Sequence, residues 1–155
     1  MKFKSALFGA AALTALGASA ALSAEITIAT VNNNDMIVMQ KLAPQWEKAT
    51  GNKINWVVLE ENVLRQRTTQ DISTKGGSFD IMFIGAYETP IWGANGWLVP
   101  LDDFGKDPKY DLKDIFQLVR NGLSAKGSLY AVPLYSETSF TYYRTDLFKK
   151  AGIEV

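Results

Sequence analysis

The residues best suited to binding or catalysis are polar side chains that follow three predicted strands or lie further along the chain. They are Asn33, Asn34, Asp35, Arg65, Tyr87, Glu88 and Glu137. Amides, carboxylates and guanidinium groups donate to or accept from hydroxyl groups with defined geometry. A pocket that combines such groups with aromatic rings therefore suits a neutral, hydroxyl-rich small molecule.

Catalysis by paired carboxylates is the competing interpretation. Glutamates at positions 60, 61, 88 and 137 supply carboxylates, but their spacing singles out no acid–base pair. The chain contains no histidine and no cysteine, which excludes Ser-His-Asp triads, thiol nucleophiles, disulfides and the usual zinc sites within it. Phosphate-binding loops and nucleophile elbows are absent as well. We therefore predict a binding protein that is not an enzyme and needs no cofactor or metal.

Several of these residues also have a purely structural interpretation. The asparagine run can be a turn, because asparagine tolerates unusual backbone angles. Asp35 is well placed as the N-cap of the following helix, and Trp92 and Trp97 are more often core residues than ligand platforms. The case for a site therefore depends on the residues converging at one end of one sheet.

The first 24 residues are predicted to be a signal peptide. A cationic start at residues 1–4 precedes an apolar run over residues 6–16, and small residues follow up to position 24. That order is typical of a secretory leader. The apolar run is shorter than the roughly 20 residues that span a bilayer. We therefore expect an exported, periplasmic protein.

The charge of the chain gives no reason to expect a nucleic acid partner. It has 16 basic and 16 acidic residues, and removing the leader takes away Lys2 and Lys4, which leaves 14 basic against 16 acidic. A net charge of about −2 offers no attraction to nucleic acid or to an anionic membrane.

The hydrophobic pattern predicts alternating strands and helices. Strands are predicted at residues 25–30, 54–59 and 80–85, and helices between Asp35 and Gly51, over 62–75 and over 89–95. Pro44 is expected to kink or split the first helix. This alternation implies an α/β fold with an open, mostly parallel sheet flanked by helices. Ligands bind outside the carboxyl ends of such strands, which here are the loops at residues 31–35, 60–65 and 85–88.

Beyond residue 95 the pattern is less regular. We expect a surface loop over residues 102–110 and then a helix capped by Asp111, with an apolar stripe of Leu112, Ile115, Phe116, Val119 and Leu123. Extended segments are predicted at residues 129–134 and 139–144, and a last helix from Asp146.

Several short sequences together resemble the start of the extracellular solute-binding proteins of ABC sugar importers. They are WEKATG at residues 46–51, FDIMFI at 79–84, YAVP at 130–133 and YYRTDLF at 142–148. Residues 30–36 (TVNNNDM) and 85–92 (GAYETPIW) are similar to the subgroup that binds mannitol and sorbitol. The resemblance covers essentially all of the chain after the leader.

The resemblance implies a periplasmic-binding-protein-like fold of type II, a two-lobed clamp that closes on a sugar or polyol. It also implies that the full-length protein is a monomer and docks on the membrane subunits of an ABC permease. By likeness to the maltose-binding relative, ligand contacts fall at residues 33–35, near Arg65 and near Tyr87. That relative also has a glutamate nine residues before the aspartate that opens the next helix, a separation kept by Glu137 and Asp146. Asp80 resembles a structural residue.

The implied domains are a signal peptide (1–24), an N-terminal lobe (25–131), and a hinge with the start of a second lobe (132–155). Since members of this family are much longer, we expect this chain to be an N-terminal fragment, truncated before most of the second lobe, that binds ligand weakly or not at all. Two other functions stay open. One is a secreted carbohydrate-active enzyme with Glu88 or Glu137 as general acid or base; the other is a structural secreted α/β module.

Overall fold

The computed structural model describes residues 23–154, so the predicted signal peptide lies outside the described residues except at its last two positions. The elements in chain order are β1 (Glu25–Val31), α1 (Asn34–Thr50), β2 (Lys53–Leu59), α2 (Glu61–Thr74), β3 (Ile81–Met82), α3 (Glu88–Ala94), α4 (Asp102–Gly105), a 3-10 turn (Leu112–Asp114), α5 (Gln117–Gly122), β4 (Ser124–Ala125), β5 (Ser128–Leu129) and α6 (Thr145–Lys150). No helix within residues 23–154 is long and apolar enough to cross a membrane.

Three parallel strands form the main sheet in the order β2-β1-β3. β1 and β2 pair along their whole length, from Glu25 opposite Lys53 to Val31 opposite Leu59. β3 is shorter than the predicted strand and pairs with β1 only at Ile81 and Met82. The predicted α/β fold with a parallel sheet is confirmed. Because the strands are parallel, their carboxyl ends meet at one edge.

The core of this region lies where the end of β1 meets the first turns of two helices. Ala29 and Val31 of β1 contact Met36 of α1 and Leu64 of α2. Trp56, Leu59, Phe79, Met82 and Phe83 pack around these buried residues. Removing this apolar surface from water stabilises the arrangement of β1, α1 and α2. The same packing fixes where the first two helices begin.

α1 is capped by Asn33 and not, as predicted, by Asp35. The side-chain Oδ1 of Asn33 accepts a hydrogen bond from the backbone N–H of Met36 at 2.9 Å. Helical conformation therefore begins at Asn34, and Asp35 lies in the first turn. A carboxylate there is favoured by the positive end of the helix dipole, which explains why both residues suit this position.

α1 continues unbroken through Pro44, so the proline does not split it as the sequence suggested. The helix ends at Gly51, which has a φ of 74°. The Gly51 N–H donates to the carbonyl of Glu47 at 2.8 Å. This left-handed cap is strained for residues that have a Cβ, which is why a glycine ends the helix.

Asp80 has the structural role that was expected of it. Its carboxylate accepts from the Thr27 N–H at 2.8 Å, and its own N–H donates to the Thr27 carbonyl at 2.9 Å. Asp71 holds the preceding loop, because both of its carboxylate oxygens accept from the Ser78 N–H, at 3.0 and 3.2 Å. Hydrogen bonds from Ser78 lower the pKa of Asp71 below its ordinary value.

The region after residue 100 departs from the prediction in two places. α4 occupies the start of the segment that was predicted to be a loop. The single helix predicted from Asp111 is wrong, because the 3-10 turn ends at Ile115, which is extended with φ −82° and ψ 128°. Asp111 has a left-handed φ of 47° and makes no side-chain cap. The apolar spacing is helical, but the backbone leaves the helical region between the turn and α5.

The segment that joins β5 to α6, residues 130–144, forms neither helix nor strand. We call it the connecting segment. The two extended stretches predicted there are observed as strand only at β5, which pairs with β4 in an antiparallel hairpin. Phe140 and Tyr142 are 73% and 91% exposed. The connecting segment thus lacks the strand partners that hold the main sheet together.

Candidate ligand-binding cleft

A cleft of about 1740 Å³ extends from the edge where the carboxyl ends of the three strands meet along α2 as far as Lys75. At that edge its polar lining comes from the residues after β1, β2 and β3 and from residues 135–137 of the connecting segment. The volume exceeds the roughly 300–1,000 Å³ of a small-molecule pocket, because apolar residues such as Leu118 and Val119 also line it. We call the polar part the strand-tip cleft, since only this part can orient a ligand by hydrogen bonds.

Asn33 joins the first loop of the strand-tip cleft to the connecting segment. Its Nδ2 donates to the hydroxyl oxygen of Tyr135 at 2.7 Å, while its Oδ1 caps α1. The Tyr135 ring lies beside Phe83, with ring centroids 5.5 Å apart. Asn33 therefore holds residues from two distant parts of the sequence together at the cleft.

Arg65 bridges two helices at the cleft. Its guanidinium group donates to Glu61 of the same helix at 2.7 Å and to Glu88 at the start of α3. The hydrogen bond with Glu61 and the negative charge of Glu88 raise the pKa of Arg65 above its ordinary value. Glu88 is the more buried partner, with a side chain that is 15% exposed, and it also accepts from the Gly85 N–H at 3.1 Å. Arg65 and Glu88 thus tie the second loop to the third.

Glu60 begins α2 and lines the cleft as well. Its carboxylate accepts from the N–H groups of Asn62 and Val63, at 2.9 and 3.2 Å. These are two of the amides that a helix leaves unpaired at its start. Glu60 was considered from the sequence only as a possible acid or base, and the structure gives it a capping role.

The connecting segment brings Tyr135 and Glu137 to the same cleft. Burial, and then the negative charge of Glu137, raise the pKa of Tyr135 above its ordinary value. Tyr135 is therefore a neutral hydroxyl at physiological pH, and the exposed Glu137 side chain offers oxygens that can accept hydrogen bonds from a ligand.

Four of the seven predicted site residues line the cleft, and three do not. Asn33, Arg65, Glu88 and Glu137 are among its lining residues. Asn34 and Asp35 are exposed on the first turn of α1, and the Tyr87 side chain is 77% exposed at the start of α3. Of the aromatic candidates, Trp92 is buried, as its structural interpretation proposed, and contributes to the wall.

Sequence reasoning missed Tyr135. The residue follows Pro133 by two positions and lies just beyond the extended segment predicted at residues 129–134. Its partner Asn33 is 102 positions away, so no local spacing indicates the contact. The one available indication was an aromatic hydroxyl two residues before Glu137, which was itself a candidate.

The strand-tip cleft offers donors and acceptors and no metal-binding cluster. Within residues 23–154 no three His, Cys, Asp or Glu side chains gather as they would around a metal ion. The groups present include a guanidinium, several carboxylates, the amides of Asn32 and Asn33, the Tyr135 phenol and the Ser136 hydroxyl. Such a set can hold a hydroxyl-bearing molecule by hydrogen bonds, because hydroxyls both donate and accept.

The chain matches the family model of the bacterial extracellular solute-binding proteins over residues 32–154. A mannitol-binding protein of Pseudomonas aeruginosa is 54% identical over 147 residues, which are 94% of this chain and 33% of that protein. These matches include the loops after β1, β2 and β3 and most of the connecting segment.

Two solved structures extend the likeness to three dimensions. An ABC transporter solute-binding protein from Agrobacterium vitis S4 with bound D-mannitol has 54% identity and a TM-score of 0.74, over 86% of this chain and 32% of its own. A solute-binding protein from Agrobacterium radiobacter K84 in complex with ribitol has 30% identity and a TM-score of 0.66, over 85% of this chain and 34% of its own. The chain thus spans about a third of the length of these relatives.

Proposed function

This chain belongs to the bacterial extracellular solute-binding protein family, and from that premise we propose that the protein captures a sugar alcohol for import by an ABC transporter. The family and the periplasmic-binding-protein-like fold predicted from the sequence are confirmed by the family match and the two structural relatives. Because the chain spans about a third of its relatives, the proposal concerns the complete gene product, meaning this chain with any sequence that accompanies it.

One observation carries the proposal: donors and acceptors suited to neutral hydroxyl groups gather where three parallel strands end. Arg65 supplies donors, Glu137 supplies acceptors, and the Asn33–Tyr135 pair lies in the same cleft. A polyol hydroxyl can donate to a carboxylate and accept from a guanidinium or phenol at the same time. The 54% identity to a mannitol-binding protein supports a hexitol as the ligand.

The enzyme alternative has less support from the cleft. The Glu88 carboxylate is already engaged by Arg65 and by the Gly85 N–H, so it is not free to transfer a proton to a substrate. Two relatives with solved structures are solute-binding proteins, one with bound D-mannitol and one in complex with ribitol. Both points favour capture over hydrolysis.

In the complete protein we propose that this chain forms most of the first lobe and the segment that leads from it to the second lobe. Residues 25–131 would form most of one lobe, and residues 132–155 would lead into the second, with ligand bound between the two by hinge closure. We further propose removal of residues 1–24 on export, a monomer in the periplasm, and docking on the permease subunits. The extracellular character of the family supports this location.

Calorimetry on the complete gene product tests the proposal. We expect heat of binding with D-mannitol and sorbitol, less with ribitol, and least with glucose, with the polyol recovered unchanged after release. Absence of binding to every polyol would refute the proposed function. Appearance of a cleaved or altered product would support the enzyme instead.

Replacement of Glu137 tests whether the connecting segment contributes to binding. Glu137→Ala should weaken hexitol binding by about 1–3 kcal/mol, because a hydrogen bond between a ligand hydroxyl and a charged group contributes in that range. Glu154→Ala, which removes an exposed glutamate outside the cleft, is the matched control. Equal affinities of the two variants would remove Glu137 from the site.

A further inference from the structure

The hydrogen bonds of Asn33 determine the direction of the hydrogen bond that it makes with Tyr135. The backbone N–H of Met36 can only donate, so the atom of Asn33 that faces it must be the oxygen Oδ1. The other end of the amide, Nδ2, therefore faces Tyr135 and donates to its hydroxyl oxygen at 2.7 Å. The orientation of the amide follows from this chemistry and from the helix cap.

This direction has a consequence for the Tyr135 hydroxyl. A phenol has one proton to donate, and its oxygen here already accepts from Asn33. Within residues 23–154 the Tyr135 O–H donates to no protein group, and Tyr135 is one of the residues that line the cleft. The phenol proton is therefore available to an acceptor that enters the cleft.

The surroundings of Tyr135 favour the protonated, donating form. The ring is half-buried and packs against Phe83. Burial and the charge of Glu137 raise the pKa of Tyr135, so the proton is retained over the whole physiological range. The hydrogen bond with Asn33 and the contact with Phe83 set the position of the ring in this structure.

We infer that Tyr135 is a specificity-determining hydrogen-bond donor to a ligand hydroxyl, and that Asn33 is the positioning residue that sets its direction. The inference deepens the proposed function and rests on it. The glutamates that line the cleft can only accept hydrogen bonds. A ligand hydroxyl that donates to one of them has lone pairs left for a donor, which Tyr135 supplies. A ligand without a hydroxyl at that point leaves the phenol proton unpaired.

Substitution of Tyr135 in the complete gene product tests the donor role. Calorimetry with D-mannitol should show binding about three- to tenfold weaker for Tyr135→Phe, as expected for loss of one neutral hydrogen bond. Tyr142→Phe removes a hydroxyl from an exposed tyrosine of the same segment and should bind as the parent does. Thermal melting of both variants confirms that they are folded.

Replacement of the Asn33 amide by a carboxylate tests the positioning role of Asn33. Asp caps helices as well as Asn, so Asn33→Asp keeps α1 capped. The new carboxylate accepts a hydrogen bond from the Tyr135 O–H, whereas the Asn33 amide donates to the Tyr135 oxygen. Binding should weaken at least as much as in Tyr135→Phe. In the double variant the loss should equal that of Asn33→Asp alone. Losses that multiply independently would contradict the inferred coupling, because they would show that the two residues act separately.

Deoxy ligands give a measurement that a merely structural role would not change. One of the 1-, 2- and 3-deoxy analogues of mannitol should bind the parent protein more weakly than mannitol does. The same analogue should bind the Tyr135→Phe variant with the same affinity as mannitol. Equal discrimination by parent and variant would overturn the inference. Binding of mannitol by the parent with no loss in Tyr135→Phe removes only the role of Tyr135, whereas no polyol binding by the parent refutes the proposed function itself.

Discussion

The main sheet and the connecting segment hold their cleft side chains in different ways. In the region from β1 to α3, Asn33 caps α1, Glu60 caps α2, and Glu88 accepts from the backbone just before α3. Asn33 and Glu60 are positioned by the helices that they cap, and Glu88 is positioned by the Gly85 N–H and by Arg65. In the connecting segment, Tyr135 is held by one long-range hydrogen bond and one aromatic contact, and Glu137 is exposed.

This difference indicates which half of the strand-tip cleft is formed in advance. Side chains that complete a helix cap keep their place whether or not ligand is present, because losing the cap costs about 1 kcal/mol. Side chains on a segment without strand partners can move together with that segment. We therefore regard the strand tips as the fixed wall of the cleft and the connecting segment as its adjustable wall.

The strongest test of this contrast compares a core residue with an exposed one. Leu64→Ala should lower the free energy of unfolding by about 2–5 kcal/mol, because Leu64 is 2% exposed among Ala29, Val31 and Met36. Phe140→Ala in the connecting segment should change it by less than about 0.5 kcal/mol. Urea denaturation of the complete gene product measures both. A similar loss at Phe140 would break the contrast.

A glycine in α3 tests how tightly the start of the connecting segment is held. A methyl group at Gly93 would lie 2.6 Å from a ring carbon of Tyr130. Gly93→Ala should therefore destabilise the protein by about 1–3 kcal/mol through overpacking, although alanine favours helices. Gly122→Ala in α5 meets only Ala86 at 3.9 Å and should be neutral or stabilising by up to about 1 kcal/mol. Equal stability of the two variants, measured by thermal unfolding, would show that the Tyr130 ring moves freely.

Two neighbouring glutamates, Glu60 and Glu61, allow the stability contributed by a helix cap to be compared with that of an exposed ion pair at the fixed wall. Glu60→Ala leaves two amides of α2 without their acceptor and should cost about 1 kcal/mol of stability. Glu61→Ala removes an exposed ion pair with Arg65 and should cost about 0.2–0.5 kcal/mol. Denaturant midpoints of the two variants give the difference directly. A larger loss at Glu61 would mean that the ion pair, and not the cap, holds this wall.

The smallest expected effect concerns acid stability. The pKa of Asp71 is lowered from 3.8 by hydrogen bonds with Ser78, so its contribution is present above that value and is lost as the pH falls through the folded pKa. Asp71→Asn should therefore flatten the decline of stability below about pH 4. Asp114→Asn makes the same change in charge on an exposed residue. The midpoint of denaturant unfolding of each variant is measured between pH 5 and pH 2, and its decline with falling pH should be smaller for Asp71→Asn than for Asp114→Asn.

The elements of the main sheet were predictable because their signals are local. β1 and β2 have apolar runs that end at polar loops, and α2 was placed to within one residue at each end. The helix predicted from Asp111 failed, since its apolar spacing is helical but Ile115 is extended. Spacing alone does not reveal a backbone that turns inside an apolar stripe.

The position of the cleft could be predicted from the sequence, but only some of the residues that line it could. Parallel strands bring their carboxyl ends to one edge, so the loops containing Asn33, Arg65 and Glu88 were placed together correctly. Which side chain in a loop faces the cleft depends on where the helix starts, and the shift of the cap from Asp35 to Asn33 changed that. Tyr135 depends on a partner more than a hundred positions away and left no local trace.

β1 is both the first strand of the chain and the middle strand of its sheet. The hydrogen bond between Thr27 and Asp80 joins positions 53 residues apart, so one edge of β1 stays open until that much more of the chain has been synthesised. Pairing between distant segments forms slowly. The pairing of β1 with the chain around Asp80 is therefore completed late during translation, although β1 itself is synthesised first.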